Sequence, residues 1–122
     1  MTKKVLIVDD GEAMRLTIGA IIEGMDRSVE LFYTDNGRTL VEMMQKEKYD
    51  LVLTDNDMPT LTGIEAIREI REYDKITLIY VVATLTNSQV RSLTNAGATG
   101  YIQKGAEISK KLGEVVKGHL IN

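Results

Sequence analysis

Cysteine is missing from this 122-residue chain, and proline and histidine occur once each. Without cysteine there is no disulfide framework, no zinc–thiolate site and no thiol nucleophile, so redox chemistry through protein thiols is excluded. Long apolar runs are missing as well. The amino terminus reads Met1-Thr2-Lys3-Lys4 and then only Val5-Leu6-Ile7-Val8 before two aspartates, too short for a signal-peptide core or a membrane span. A cytoplasmic protein with no membrane insertion is expected. A large charge imbalance is lacking too. Fifteen basic against eighteen acidic residues leave a net charge of −3, and no Lys/Arg run is long enough to track a phosphate backbone. Direct nucleic-acid binding is not expected.

Hydrophobic residues make up 43% and charged residues 27% of the chain, an ordinary balance for a packed globular protein. The length fits one compact domain over residues 1–122, with no repeat and no linker. Apolar runs of strand length recur at Val5 to Val8, Val29 to Tyr33, Leu51 to Leu53, Leu78 to Ala83 and Tyr101 to Ile102. They lack alternation, as strands buried on both faces do, and segments of helical period separate them. Five strands alternating with five helices predict an α/β fold with a mostly parallel sheet.

In the first helical segment Ala13, Leu16, Thr17, Ala20, Ile21 and Gly24 fall on one stripe; in the last, Ile108, Leu112, Val115, Val116 and His119 do so. Leu40, Val41 and Met44 mark the second helix, Ile64, Ile67 and Ile70 the third, Val90 and Leu93 the fourth. Thr62-Gly63-Ile64-Glu65 and Thr86-Asn87-Ser88-Gln89 read as capping boxes, placing helix starts near Gly63 and Asn87. Pro59, after the third strand, biases Met58 away from helix and predicts a loop there.

Asp9 and Asp10 end the first strand, Asp55 ends the third with Asp57 two residues on, and Lys104 ends the fifth. Ligands of open parallel sheets collect beyond the carboxyl ends of strands, so these groups converge if strands one and three are neighbours. Several carboxylates in one cleft repel and call for a cation. Mg2+ suits them, being a hard ion commonly held by one or two carboxylates plus a phosphate. A lysine beside such a metal neutralises a phosphoryl oxygen, which makes a carboxylate nucleophile at Asp55 chemically sensible. The bland alternative stands beside this one: Asp10 could simply cap the first helix, Asp57 could be an ordinary loop acid, and Lys104 a surface lysine.

Over essentially its full length the chain resembles the receiver domains of response regulators. The stretches that carry the resemblance are Lys4-Val-Leu-Ile-Val-Asp-Asp10, Tyr49-Asp-Leu-Val-Leu-Thr-Asp-Asn-Asp-Met-Pro59, Leu61-Thr-Gly-Ile-Glu65 and Ala96-Gly-Ala-Thr-Gly-Tyr-Ile-Gln-Lys104. Met14-Arg15 is similar to chemotaxis-type members. The resemblance implies a flavodoxin-like (βα)5 doubly wound sheet of order 2-1-3-4-5. It implies Asp55 as phosphoacceptor; Mg2+ held by Asp10, Asp55 and the Asp57 backbone carbonyl, with Asp9 acting through metal-bound water; Lys104 on the phosphoryl group; and Tyr101 as the aromatic that reports the switch. The implied partners are a sensor histidine kinase or phosphotransfer protein and a downstream protein target, reached in trans because the fifth helix runs out the chain.

Two positions depart from the pattern. Counting back from Lys104, the hydroxyl residue expected at the end of the fourth strand falls on Val82, with Ala83 beside the phosphate and Thr84 two residues on; the usual proline after the lysine is Gly105. Val82 favours a competing reading, a receiver fold that binds partners without switching by phosphate. A small aspartate-nucleophile phosphatase is the other alternative, because Asp55-Asn56-Asp57 mimics an Asp-x-Asp signature; that signature belongs on a first strand.

Overall fold

The computed structural model describes residues 2–120. Its elements alternate as β1 (Lys4–Val8), α1 (Glu12–Met25), β2 (Glu30–Thr34), α2 (Gly37–Lys46), β3 (Leu51–Thr54), α3 (Gly63–Ile70), β4 (Leu78–Ala83), α4 (Asn87–Ala96), β5 (Gly100–Gln103) and α5 (Ile108–His119). All strand pairs are parallel and the order is β2-β1-β3-β4-β5, the flavodoxin-like order expected. The order reverses between β1 and β3, which places a crevice at the carboxyl ends of those two strands.

Side chains along a strand point alternately to the two faces, so an unbroken apolar run serves two cores. Leu6, Val8, Val52, Ile79 and Val81 pack with Leu40, Ile67, Ile70 and Leu93 from α2, α3 and α4. Val5, Ile7, Leu51, Leu53 and Val82 pack with Ile18 and Ile22 of α1 and Leu112 and Val116 of α5. The pattern fails at the sheet edges. β2 is exposed at Glu30 and Tyr33 and only half-buried elsewhere, and β5 buries Ile102 alone.

The stripes of α2 to α5 bury as expected, with Val90, Ile64, Ile108 and Val115 at the margins, except that His119, expected on the α5 stripe, is exposed. The stripe expected for α1 is wrong. Leu16 is 58% exposed and Ala13, Thr17, Ala20 and Gly24 also face outward. The buried face is Ile18, Gly19 and Ile22, with Met14, Ile21 and Met25 packed at its edge. Two stripes compete on this helix. The larger apolar one wins, and Gly19 lets α1 sit on β2, where a Cβ would run into the Tyr33 hydroxyl.

Both capping boxes form. Thr62 Oγ1 accepts the Glu65 N–H at 3.1 Å while Glu65 Oε1 accepts that of Thr62 at 2.9 Å, and Thr86 and Gln89 repeat the exchange at 3.2 and 2.9 Å. Such a cap stabilises a helix by roughly 1 kcal/mol. Among the described residues no helix is long and apolar enough to cross a membrane.

Candidate functional site

At the crevice, Asp9 follows β1 and Asp55 follows β3, because Val8 pairs with Thr54 in register and the Asp55 N–H donates to the Val8 carbonyl at 2.8 Å. Both carboxylates are nearly enclosed, Asp9 at 3% and Asp55 at 7% exposure, while Asp10 is exposed. One oxygen from each of Asp9, Asp10 and Asp55 lies within 4.8 Å of the other two. Asp10 does not cap α1. The N-cap is Gly11, with no side-chain bond to the helix, and it is Asp9 Oδ1 that accepts the Gly11 N–H at 2.9 Å.

Lys104 reaches the cluster from the end of β5, donating to Asp9 Oδ2 at 2.9 Å and to Asp55 Oδ2 at 3.2 Å. Asp55 Oδ1 accepts the Asn56 N–H at 2.7 Å. Burial raises the Asp55 carboxyl above its ordinary range; the Lys104 charge pulls it down and the Asp9 charge pushes it up. Burial works against the charge on Lys104 too, but hydrogen bonding to Asp9 and the charges of Asp55 and Asp9 outweigh it, so its ammonium is held above the usual lysine value. The pair is thus asymmetric: the cation is firmly protonated and the Asp55 anion is under-compensated. Three acids facing one ammonium leave an excess of negative charge on hard oxygen donors, a donor set that fits Mg2+.

The remaining expected residues lie around this cluster. Asp57 is exposed, and its carboxylate stands outside the group of three. Val82 pairs with Ile102 and is buried at 1% in the layer beneath α1 and α5. Ala83 pairs with Gln103, and its carbonyl accepts the Lys104 N–H at 3.0 Å. Thr84 lies past the strand and is exposed. Tyr101, on edge strand β5, is 46% exposed. Gly105 carries a φ of +156°, with nothing close to its missing Cβ.

Four residues have roles here that sequence reasoning did not assign. Arg15 Nη1 donates to the Asp9 carbonyl at 2.8 Å and so anchors the β1 end to α1. Asn56 is buried; its Oδ1 accepts the Ile64 N–H at 3.0 Å and its carbonyl the Gly63 N–H at 2.9 Å, fixing the loop after Asp55 to the start of α3. Gly63 is required there, since a Cβ would press into the Asp55 carbonyl. Gln103 ties β5 to the loop after β4.

A family model described as the response regulator receiver domain matches residues 5–116. The chain belongs to that family. It is 37% identical over 105 residues to the chemotaxis protein CheY of Halobacterium salinarum, covering 85% of this chain and 86% of that protein. It is 31% identical over 120 residues to CheY-3 of Vibrio cholerae, covering 92% and 90%. Among solved structures, the response regulator TrrA of Thermotoga maritima in complex with Mg2+–BeF superposes with a TM-score of 0.85 at 27% identity, covering 97% of this chain and 99% of that one. The receiver domain described here is therefore of the CheY-like kind used in two-component signalling, a class of signalling switches rather than turnover enzymes.

Proposed function

We propose that this receiver accepts a phosphoryl group on Asp55 from a sensor histidine kinase or a phosphotransfer protein and signals in the cytoplasm through protein–protein contacts. The observation that carries the reading is the Asp9–Asp10–Asp55 cluster bridged by Lys104. An Asp55 carboxylate oxygen attacks the phosphorus of a phosphohistidine, the P–N bond breaks, and the leaving imidazole takes up a proton as the acyl phosphate forms.

Mg2+ would be held by Asp10 and Asp55 and by the backbone carbonyl of Asp57, with Asp9 acting through water. When bound, the ion neutralises charge on the phosphoryl oxygens. The Mg2+–BeF in the TrrA complex supports the same chemistry for this chain. Lys104, already lying across Asp9 and Asp55, would follow a phosphoryl oxygen as a point charge. Tyr101, exposed at the sheet edge, would belong to the surface that a target reads. The burial of Val82 favours a second reading, in which the fold binds partners and responds weakly to phosphate, because a valine has no hydroxyl to close on a phosphoryl oxygen.

Acetyl phosphate or phosphoramidate with Mg2+ tests the proposal. Label is expected on Asp55 in the parent and absent from Asp55→Asn; label retained in that variant overturns the assignment. A labelled parent whose amide spectrum stays the same in α4 and at Tyr101 supports the second reading.

A further inference from the structure

The end of β5 carries a polar contact for which the phosphoryl chemistry has no use. Gln103 Oε1 accepts the N–H of Leu85 at 2.9 Å, and Gln103 Nε2 donates to the Leu85 carbonyl at 2.8 Å. A side-chain amide presents the donor and acceptor of a peptide group. The pair therefore extends the β4–β5 ladder past its last main-chain rung, Lys104 N–H to Ala83 carbonyl. Gln103 is itself exposed, whereas Leu85 is buried in the layer beneath α2, α3 and α4.

We propose that Gln103 is a positioning residue that holds the loop between β4 and α4 in its resting place and opposes the movement of that loop toward a phosphoryl group on Asp55. The proposal rests on the phosphoacceptor reading of Asp55. The loop is short: Thr84 is exposed, Leu85 is fixed by Gln103, and Thr86 is engaged as the N-cap of α4. With Mg2+ to neutralise one phosphoryl oxygen and Lys104 a second, the third would be left for a backbone amide or hydroxyl of this loop.

Val82 cannot supply it from inside the core. Thr84 lies past the end of β4 and is exposed, so bringing its hydroxyl to that oxygen moves the loop relative to β5. The end of β5 does not follow the loop, because Gln103 pairs with Ala83 and the Lys104 N–H donates to the Ala83 carbonyl, which holds its backbone to β4. Closing the loop therefore breaks both Gln103 bonds. A contact made in one state alone biases the equilibrium against the other. The apparent affinity for any phosphate mimic then falls with the fraction of molecules whose loop is free.

The test is a titration with beryllofluoride at saturating Mg2+, read by amide chemical shifts, on the parent, Gln103→Met and Gln103→Asn. Methionine keeps the length of the side chain without the amide; asparagine keeps the amide but is one carbon too short to bridge both groups. Both substitutions fall on an exposed side chain and leave the core filled. Apparent affinity should tighten about fivefold or more in both variants, and hydrogen-exchange protection of the Leu85 amide should fall in the unbound protein. Lost protection with unchanged affinity would show a structural tie only and overturn the proposal. Weakened affinity would place the contact in the activated state and overturn it equally. A parent that binds no beryllofluoride removes the Asp55 reading, and this proposal with it, whereas a parent that binds while the variants match it sinks the role of Gln103 alone.

Discussion

Replacing Asp10 by asparagine removes one charge from a cluster whose oxygens lie no more than 4.8 Å apart. At that distance two carboxylates repel by about 0.9 kcal/mol at the dielectric of water and about 3.5 kcal/mol at an effective dielectric of 20. Asp10 is exposed, so the lower figure governs. Its two repulsions, with Asp9 and Asp55, come to about 2 kcal/mol, and the lost attraction to Lys104 offsets part of that. A gain of about 1 kcal/mol remains for Asp10→Asn in metal-free buffer, a rise of roughly 3–5 °C in Tm for a chain of this size.

Mg2+ should reverse the order. At about 100 times its Kd a bound ion would stabilise the parent by about 2.7 kcal/mol, while the variant, short of one proposed ligand, should gain less. Melting followed by circular dichroism, once with EDTA and once with Mg2+, should show the two curves change places. Raising salt to about 1 M, where the screening length is near 3 Å, should shrink the metal-free difference. A variant that melts below the parent in EDTA would refute the argument, because it would mean that the Asp10 carboxylate makes a stabilising contact such as the helix cap that Gly11 occupies.

Burial first, with Asp9 adding to it, raises the Asp55 carboxyl. The folded state therefore holds this proton more tightly than the unfolded state, and the stability it brings is present below the unfolded carboxylate range and lost as pH rises through the raised folded value. Metal-free Tm of the parent should fall across that window, and Asp55→Asn should flatten the fall and melt higher at neutral pH; a parent and variant with parallel pH profiles would contradict it. Gly63→Ala should destabilise by about 1–3 kcal/mol in denaturant unfolding, since its Cβ presses on the Asp55 carbonyl, whereas Gly24→Ala, in α1 with nothing within 4 Å, should stabilise by about 0.5–1 kcal/mol. Thr60 adopts a φ of +71° despite its branched side chain, so Thr60→Asn, which tolerates that region and keeps an acceptor for the Arg38 N–H, should raise the unfolding free energy by about 0.5–1 kcal/mol.

What was legible in the sequence was what local patterning encodes. The strand runs, the boxes at Thr62 and Thr86 and the stripes of four helices each depend on residues within a few positions of one another. The face of α1 was misread because its stripes differ by a small rotation, and the choice between them depends on Tyr33 and Leu31 of β2 meeting Gly19. The edge strands were taken as buried because apolar content does not tell an edge from a centre; only strand order does, and that order came from the resemblance. Asp9, Asp55 and Lys104 could be brought together on paper because all three end strands. Gln103 could not, since a side-chain bond to a backbone 18 residues away has no periodicity to announce it.

The distribution of partners within the cluster separates Asp55 from Asp9 and supports the proposed choice of Asp55 as the group that is modified. Asp9 is nearer the lysine, at 2.9 against 3.2 Å, and its other oxygen takes the Gly11 N–H. Its resting charge is well answered, and altering it would disturb the start of α1 as well as the lysine. Asp55 has the longer lysine contact and the Asn56 N–H, is buried, and feels Asp9 as a repulsion. Its anion is therefore the less settled of the two. On the proposed reading, phosphorylating one of its oxygens would move the charge off the buried carboxyl and outward, onto oxygens that Lys104 and a divalent ion could neutralise. That imbalance lowers the stability of the resting state, which is what the metal-free melting of Asp10→Asn and the pH profile of Asp55→Asn measure from two sides.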